Sequence, residues 1–361
     1  MKTLTIKIFY GILLLSLFVS CDEDNINTNE IRTQYDFENA DFSGQATRIK
    51  MLEELTAYVK TAANGEQLQT QKLLDMFSNN NSPFSSDELN NTTKQLKNKT
   101  NLNPQINRLN FENYFNQLGS SSGINTTASN GVSGILISDD NRYFVSENGI
   151  EYAQFIDIGI MGATFYDQLV NNYLGDEKMN ISLNVKEPDE DRTTLERYWD
   201  EAYGYFGASI DFPSANSQAK YLAKYCSITD AQRGTELKIM NAFIRGREAI
   251  KDENWELRDS SIFIIRTELE YMLAGTSIYY LNEALANFDN DAIRINSLSK
   301  SFALIHSLIF TNSATRKFES ISIIDSFLEE LNNNFYDIKI TNINSIRNQL
   351  ADIYEFDASQ L

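Results

Sequence analysis

Carboxylate side chains on one short aromatic stretch are the residues of this chain best suited to chemistry. The stretch Leu195-Glu196-Arg197-Tyr198-Trp199-Asp200-Glu201-Ala202-Tyr203-Gly204-Tyr205-Phe206-Gly207 has the composition of a helix that packs against other elements. On a helix, Glu196 and Asp200 share one face, and Glu201 projects about 100° further round. A carboxylate in apolar surroundings must be paired with a cation, bind a metal or have a raised pKa.

Two further charged residues lie in strongly apolar patterns and join the same set of candidates. Glu151 begins an apolar helical pattern, and Arg247 lies in Gly246-Arg247-Glu248-Ala249-Ile250, where it could supply a cation to the carboxylates. A structural ion-pair network, a ligand or metal site, and exposed helix faces are all compatible with these patterns. The candidate ligand-binding residues are Glu151, Glu196, Trp199, Asp200, Tyr203 and Arg247.

The inventory of nucleophiles and metal ligands excludes several classes of enzyme. His306 is the single histidine, so zinc sites built from two or three histidines are excluded. The sequence contains no GxSxG, P-loop or GxGxxG motif, and Cys226 is the only cysteine besides Cys21. Any metal site must therefore use mainly oxygen ligands, which favour hard cations such as iron or calcium. The formal net charge of −19 argues against nucleic acid as a partner.

The elements that position these residues are predicted to be helices. Proline (4 residues) and glycine (16 residues) are scarce, and long segments show the 3.6-residue period of buried or amphipathic helices. We therefore predict an all-α fold with one short β-hairpin at residues 134–145, and Thr194 as N-cap of the central helix. The predicted helices include Arg48–Ala62, Gln67–Phe77, Gly149–Leu174, Glu196–Phe206, Ala215–Tyr225, Asp230–Lys251, Trp255–Asn287, Asp291–Phe310, Ala314–Asn332 and Ile343–Tyr354.

The first residues have the features of an exported lipoprotein. Two lysines followed by a short apolar run predict a signal peptide at residues 1–20. Leu17-Phe18-Val19-Ser20-Cys21 resembles a lipobox, so Cys21 is the predicted lipidation site and membrane anchor. Residues 21–34 are acidic and rich in asparagine, which predicts a disordered tether. The expected location is the outer membrane of a Gram-negative bacterium, with the protein surface-exposed or facing the periplasm.

Several short motifs occur in the order found in one family of bacterial lipoproteins. The motifs are Glu151-Tyr152-Ala153-Gln154, Met161-Gly162-Ala163, Trp199-Asp200-Glu201-Ala202-Tyr203-Gly204-Tyr205-Phe206-Gly207, Gly246-Arg247-Glu248-Ala249-Ile250 and Tyr280-Leu281-Asn282. Through them the chain resembles the imelysin-like lipoproteins of unknown function. The resemblance implies an all-α fold of two helical bundles over residues 35–361, with a boundary near 175–192. It also implies iron-linked uptake, with a TonB-dependent transporter as partner.

The same resemblance implies a position for a metal ion. Imelysins have a His-x-x-Glu motif that is proposed to bind metal, and the nearest match in this chain is Tyr198-Trp199-Asp200-Glu201. Glu201 and Tyr198 are therefore the candidate ligands for a hard cation, iron or calcium.

Taken together, these features predict a cell-envelope lipoprotein without enzymatic activity that binds a ligand or partner in iron-linked uptake. Two other functions stay open: a metal-dependent hydrolase that uses helix carboxylates, and a glycan-binding lipoprotein that partners an outer-membrane transporter. An open cavity at the charged residues would indicate a ligand site, and a closed, dry contact would indicate a structural network. An exposed row of aromatic rings such as Tyr203 and Tyr205 would favour glycan binding.

Overall fold

We describe the fold from a computed structural model, which describes residues 32–182, 184–188, 190–331 and 334–361. Residues Thr33–Leu361 form one compact unit. The predicted signal peptide, Cys21 and nearly all of the predicted tether lie outside the described residues. Within the described ranges, no helix has both the length and the apolarity that crossing a membrane requires.

The predicted all-α fold with one short β-hairpin is confirmed. The α-helices of the described residues are α1 (Ser43–Lys60), α2 (Thr70–Ser78), α3 (Asp87–Asn90), α4 (Phe111–Ser121), α5 (Tyr152–Ile160), α6 (Asp176–Met179), α7 (Thr194–Phe206), α8 (Tyr221–Arg233), α9 (Thr235–Lys251), α10 (Trp255–Ala286), α11 (Asp291–Ser307), α12 (Ile321–Glu330) and α13 (Ile340–Tyr354). The longest, α10, packs against α8, α9, α11 and α13 and forms the centre of the C-terminal half. The boundary between two bundles near residues 175–192 stays a prediction.

The β-hairpin lies where turn residues separate two apolar runs. Strands β1 (Gly134–Ser138) and β2 (Asn141–Val145) pair antiparallel, with Ser138 opposite Asn141 at the turn. Asp139 has a φ of 51°, a left-handed conformation that aspartate tolerates better than most residues. The hairpin packs beside α11 and the short turn that follows α1, and so brings β2 next to the candidate residue Glu151.

Local sequence determines both ends of α7. The hydroxyl of Thr193 accepts a hydrogen bond from the backbone N–H of Glu196, and the Glu196 carboxylate accepts one from the N–H of Thr193 at 2.7 Å. This reciprocal capping satisfies two helix-terminal donors, so the N-cap is Thr193 and the prediction of Thr194 is wrong. Gly207 ends the helix with a φ of 81°, because glycine adopts the left-handed conformation without steric penalty.

Four aromatic side chains of α7 are buried, as the composition of the helix predicts. Gly204 lets α7 approach α1 closely, since a Cβ at this position would lie 2.6 Å from the Cβ of Phe42. Gly246 on α9 has the same function against Trp199, where a Cβ would lie 2.0 Å from Cζ2 of the indole ring. The side chains without accessible surface are Trp199, Tyr203, Tyr205 and Phe206. The helix is therefore central to the packing.

One predicted helix is interrupted in the structure. The segment Asp230–Lys251 forms the end of α8 and all of α9, which meet at Gly234. Gly234 has a φ of 64°, and its N–H donates to the carbonyl of Asp230, so it ends α8 as a left-handed cap. The start at Ala215 is also wrong, because α8 begins only at Tyr221.

The strongly apolar segment after Glu151 is helical but irregular. After α5 the chain continues through π-helical turns at Met161–Tyr166 and Gln168–Tyr173. Gly162 lies against α11, where a Cβ would be 2.0 Å from Oγ of Ser307. This close crossing fixes α5 against α11, the two helices that carry the polar residues around Glu151.

A buried carboxyl group connects α10 to the C-terminal segments. Oε1 of Glu270 accepts hydrogen bonds from the backbone N–H of Lys317 and the hydroxyl of Tyr354, each at 2.9 Å. Its Oε2 has no hydrogen-bond partner among the described residues. Burial raises the pKa of Glu270 to about 7, although both hydrogen bonds oppose that shift.

Candidate functional site

Three of the candidate charged residues meet at one point. The guanidinium of Arg247 donates to Oδ1 of Asp200 at 2.9 Å, to Oε1 of Glu196, and to Oδ1 of Asn39 at 2.9 Å. Oδ1 of Asp200 also accepts from the hydroxyl of Tyr35 at 2.6 Å. Asp200 is 0% exposed, Arg247 1% and Glu196 7%. The arginine thus pairs with two carboxylates in a closed contact.

The neighbouring aromatic candidates close this contact further. The indole N–H of Trp199 donates to the carbonyl of Phe243 at 2.9 Å. The Tyr203 ring stacks on Tyr35 at a centroid distance of 3.8 Å, and its hydroxyl donates to the carbonyl of Ser209. These residues do not fit the predicted ligand site, because their polar groups are used within the protein. They also do not form the exposed aromatic row that would indicate glycan binding.

The candidate metal ligands Glu201 and Tyr198 lie among cations. Oε1 of Glu201 is 3.4 Å from Nη1 of Arg197, and that arginine also pairs with Glu187 at 2.9 Å. Lys178 lies 4.1 Å and Arg197 4.5 Å from the ring centroid of Tyr198. Nowhere in the described part of the chain do three histidine, cysteine, aspartate or glutamate side chains lie close enough to hold one metal ion. These residues do not fit a bound iron or calcium ion, since two positive groups occupy its surroundings.

His306 and Cys226 are buried core residues. Nε2 of His306 accepts a hydrogen bond from the backbone N–H of Arg108 at 3.3 Å, and burial lowers the pKa of the imidazole to about 3. Cys226 is a free thiol in the core, where burial raises its pKa, so it is not an activated nucleophile.

Glu151 lies apart from these residues, in the wall of an open cavity of about 370 Å³. Oε1 of Glu151 accepts from Nε2 of Gln154 at 3.0 Å, and Oε2 accepts from Nδ2 of Asn296 at 2.6 Å. Its backbone N–H donates to Oγ of Ser299 at 3.1 Å. Burial raises the pKa of the Glu151 carboxyl group, and the two amides together with the charge of Lys300 oppose that rise. The carboxyl group is thereby held in one orientation by α5 and α11.

Four cationic side chains surround the same cavity: Lys60, Arg142, Lys224 and Lys300. They come from α1, β2, α8 and α11. Among the described residues, none of the four has a carboxylate oxygen within ion-pair distance. Lys300 instead lies 4.8 Å from the ring centroid of Tyr280, and Nε of Arg142 donates to a backbone carbonyl.

The lysines act on one another across the cavity. Burial lowers the pKa of Lys300, and the positive charges of Lys60 and Lys224 lower it further, while Glu151 opposes them. Two carboxyl groups, Glu151 and Asp157, face four cations, so the cavity has a positive balance whichever protonation state the acids adopt. In a chain with a net charge of −19, such a concentration of positive charge is a distinct local feature.

Asp157 connects this cavity to a second one of about 440 Å³. Its Oδ1 accepts from the hydroxyl of Thr56 at 2.9 Å, and the hydroxyl of Tyr221 also hydrogen-bonds to this carboxylate. Burial raises the pKa of Asp157, and Lys60 and these hydrogen bonds oppose the rise. Lys60, Asp157, Lys224 and Tyr225 line both cavities. The two cavities are therefore neighbours that share one wall.

Sequence reasoning identified Glu151 but not the cations around it. Glu151 and Gln154 have a spacing that brings them together on α5, and Asn296 and Lys300 share a face of α11 by their i,i+4 spacing. The members of each of these two pairs could therefore have been predicted to lie side by side. Nothing in the sequence places Lys60 and Arg142 beside them, because their meeting depends on how α1 and the hairpin pack.

The fold and the cavity define an all-α protein with a polar, cation-rimmed cavity. A family model described as a domain of unknown function (DUF4856) matches residues 33–357, nearly all of the described chain. The protein belongs to this family. No curated protein and no solved structure gives a match.

Proposed function

We propose that this protein is a non-enzymatic lipoprotein of the cell envelope that binds an anionic small molecule in the cavity beside Glu151. The observation that carries the proposal is the convergence of Lys60, Lys224, Lys300 and Arg142, which form no ion pair with a carboxylate of the residues that the structure describes. Like charges brought together raise the energy of the unliganded protein, and a bound anion would relieve that repulsion. The cavity volume of about 370 Å³ lies within the range of about 300–1,000 Å³ found for small-molecule sites.

The hydrogen bonding of the two carboxyl groups at the cavity supports binding rather than catalysis. Both oxygens of Glu151 accept hydrogen bonds from side-chain amides, and Asp157 accepts from two hydroxyls. Each carboxylate is thus oriented to receive a ligand's hydrogen-bond donors. The alternative of a hydrolase that uses the carboxylates of α7 has no support, because Arg247 and Arg197 already pair with them.

The proposed cellular location of the protein is inferred from the sequence. The lipobox at Cys21 and the resemblance to imelysin-like lipoproteins support an outer-membrane location and uptake with a TonB-dependent transporter. An iron link is compatible with a cationic cavity, because ferric iron is carried in solution by anionic oxygen chelators. Cys21→Ala should abolish labelling of the protein by radioactive palmitate in the bacterium. A wild-type chain that takes up no palmitate would contradict the anchoring part of the proposal.

Calorimetric titration tests the binding part directly. We expect citrate, inorganic phosphate or a uronic acid to bind with an affinity that falls as salt rises, because the lysines at the rim are solvent-accessible. Lys300→Gln and Lys224→Gln should each weaken binding roughly ten- to a hundred-fold, the range for losing one hydrogen bond to a charged group. Lys50→Gln is the matched control: it removes the same charge from α1, but Lys50 lies outside the cavity and pairs with Glu88. Equal effects of all three substitutions would refute a specific site.

A further inference from the structure

The two cavities that share Lys60, Asp157, Lys224 and Tyr225 point to a ligand longer than a single small anion. We propose that they form one groove with two subsites, and that its ligand is an acidic oligosaccharide. The inference rests on the proposed anion-binding function and deepens it. Each cavity, at about 370 and 440 Å³, can hold a small molecule by itself, so a ligand that fills both must have at least two units.

The groups along the groove fit hydroxyls as well as acids. The fixed carboxylates of Glu151 and Asp157 accept hydrogen bonds, and sugar hydroxyls donate them. A ligand that carried only acidic groups would supply no hydrogen-bond donors to these two carboxylates. Gln154 and Asn296 stand beside Glu151 and complete a cluster of planar polar groups. This alternation of acceptors and cations favours a polyhydroxylated acid over an acidic peptide.

Tyrosine rings line the same path. Tyr143 and Tyr280 lie in the first cavity, Tyr221 in the second, and Tyr225 in the shared wall. Such rings offer an apolar face together with a polar edge, which suits the mixed surface of a sugar ring. They are a different set from Tyr203 and Tyr205, which the core buries.

The backbone at the second subsite has an unusual conformation. Tyr221 has a φ of 47°, a left-handed conformation that is rare for a bulky residue. Tyr221 lines the second cavity, and its hydroxyl hydrogen-bonds to Asp157, which lines both cavities. Residues held in such conformations are concentrated at binding and active sites. This conformation supports the inclusion of the second cavity in the proposed groove.

The cations are distributed unevenly along the groove. Lys220 in the second cavity pairs with Glu53 at 2.7 Å, and its charge is therefore compensated. Arg142 and Lys300 line the first cavity alone, and Lys60 and Lys224 line both. The acidic group of the ligand should consequently occupy the first subsite or the junction, and the second subsite should contact mainly hydroxyls.

Isothermal titration calorimetry on the full-length protein in detergent tests the two-subsite groove. The probes are a uronic-acid monosaccharide, its linear trisaccharide, the uncharged hexose trisaccharide of the same linkage, a triglutamate peptide and citrate. We expect the acidic trisaccharide to bind at least ten-fold more tightly than each of the others. Ser217→Tyr, which places a bulky ring at the exposed edge of the second cavity, should abolish that advantage and leave the monosaccharide affinity unchanged. Ser214→Tyr in the same loop is the matched control, because Ser214 lies outside both cavities.

The outcomes separate this inference from the function on which it rests. Equal affinity for the monosaccharide, citrate and the trisaccharide, with no effect of Ser217→Tyr, would overturn the groove and leave the anion site intact. A triglutamate peptide that binds as tightly as the acidic trisaccharide would overturn the assignment to a glycan. An uncharged trisaccharide that binds as tightly as the acidic one would overturn both proposals, and so would a complete lack of binding.

Discussion

Removing the guanidinium of Arg247 should expose the structural importance of the network on α7. In Arg247→Met the apolar stem is retained, but Asp200 loses its ion-pair partner at 2.9 Å while it stays fully buried. The hydroxyl of Tyr35 still donates to Oδ1, and Arg192 lies 3.6 Å from Oδ2. Breaking a buried pair in this way costs about 3–5 kcal/mol, because Tyr35 and Arg192 compensate the remaining charge only in part.

The loss of stability should depend on pH in a defined direction. In the wild type, burial raises the pKa of Asp200 and Arg247 opposes that rise. The pKa of Glu196 is lowered, since the backbone hydrogen bond at Thr193 and the charge of Arg247 together outweigh its burial. Without the arginine both carboxyl pKa values rise, so both groups are more readily neutralised as the pH falls. The destabilisation by Arg247→Met should therefore be larger at pH 8 than at pH 5.

Thermal and urea unfolding at these two pH values measure the effect. For about 330 folded residues the unfolding entropy is roughly 0.7 kcal/mol/K, so about 3–5 kcal/mol corresponds to a decrease in Tm of roughly 4–7 °C. Asp200→Asn in the Arg247→Met background should recover part of the loss, because a neutral amide does not leave a buried charge. Additive effects of the two substitutions on the free energy of unfolding would contradict the ion pair between Arg247 and Asp200. An equal destabilisation at pH 5 and pH 8 would contradict it as well.

Two further predictions follow from single positions. Gly246→Ala should destabilise the protein by about 1–3 kcal/mol in urea unfolding, because the new methyl group would lie 2.0 Å from the Trp199 ring. Gly234→Ala is its control. Gly234 has open space around it and a φ of 64°, so this substitution should cost about 1 kcal/mol from backbone strain alone. Equal losses of stability for the two variants would contradict the packing argument. Glu270 is neutral in the folded protein up to about pH 7 but ionises in the unfolded chain above pH 4.5, so its burial lowers stability as the pH rises between these values. Relative to wild type, Glu270→Gln should therefore gain about 3 kcal/mol between pH 4 and pH 8, and a pH-independent difference would refute the raised pKa.

Elements with strong local signals could be predicted, and those that depend on one glycine could not. For α7, a capping threonine, a glycine at the C-terminus and buried aromatics all agree, and only the capping position was displaced by one residue. The apolar period continues across Gly234, so the sequence predicted one uninterrupted helix at Asp230–Lys251, whereas the chain ends α8 and begins α9 within this segment. A glycine within a helical pattern is compatible both with a close contact, as at Gly246, and with a left-handed cap. Periodicity alone does not distinguish these cases, because the difference lies in tertiary packing.

The environment of some charged residues could likewise be predicted from the sequence, and that of others could not. An ion-pair network of Glu196, Asp200 and Arg247 was one of the interpretations of the sequence, because a charge that is buried among apolar residues must be compensated. The sequence did not distinguish that closed contact from the open cavity at Glu151. That difference depends on Lys60 and Arg142, which reach the cavity from α1 and β2.

The acidity of the chain gives the cavity a specific electrostatic character. At a net charge of −19, the protein repels anions at long range, while four cations attract them within the cavity. Salt screens the long-range repulsion over a Debye length of about 8 Å at physiological ionic strength, but it screens a partly buried contact much less. Added salt should therefore speed the approach of an anionic ligand and weaken its contacts at the exposed lysines. A ligand with hydroxyls that reach Glu151 and Asp157 would keep much of its affinity under these conditions, because those hydrogen bonds lie in the buried part of the groove. A simple anion that contacts only the exposed lysines would not keep its affinity as salt is added.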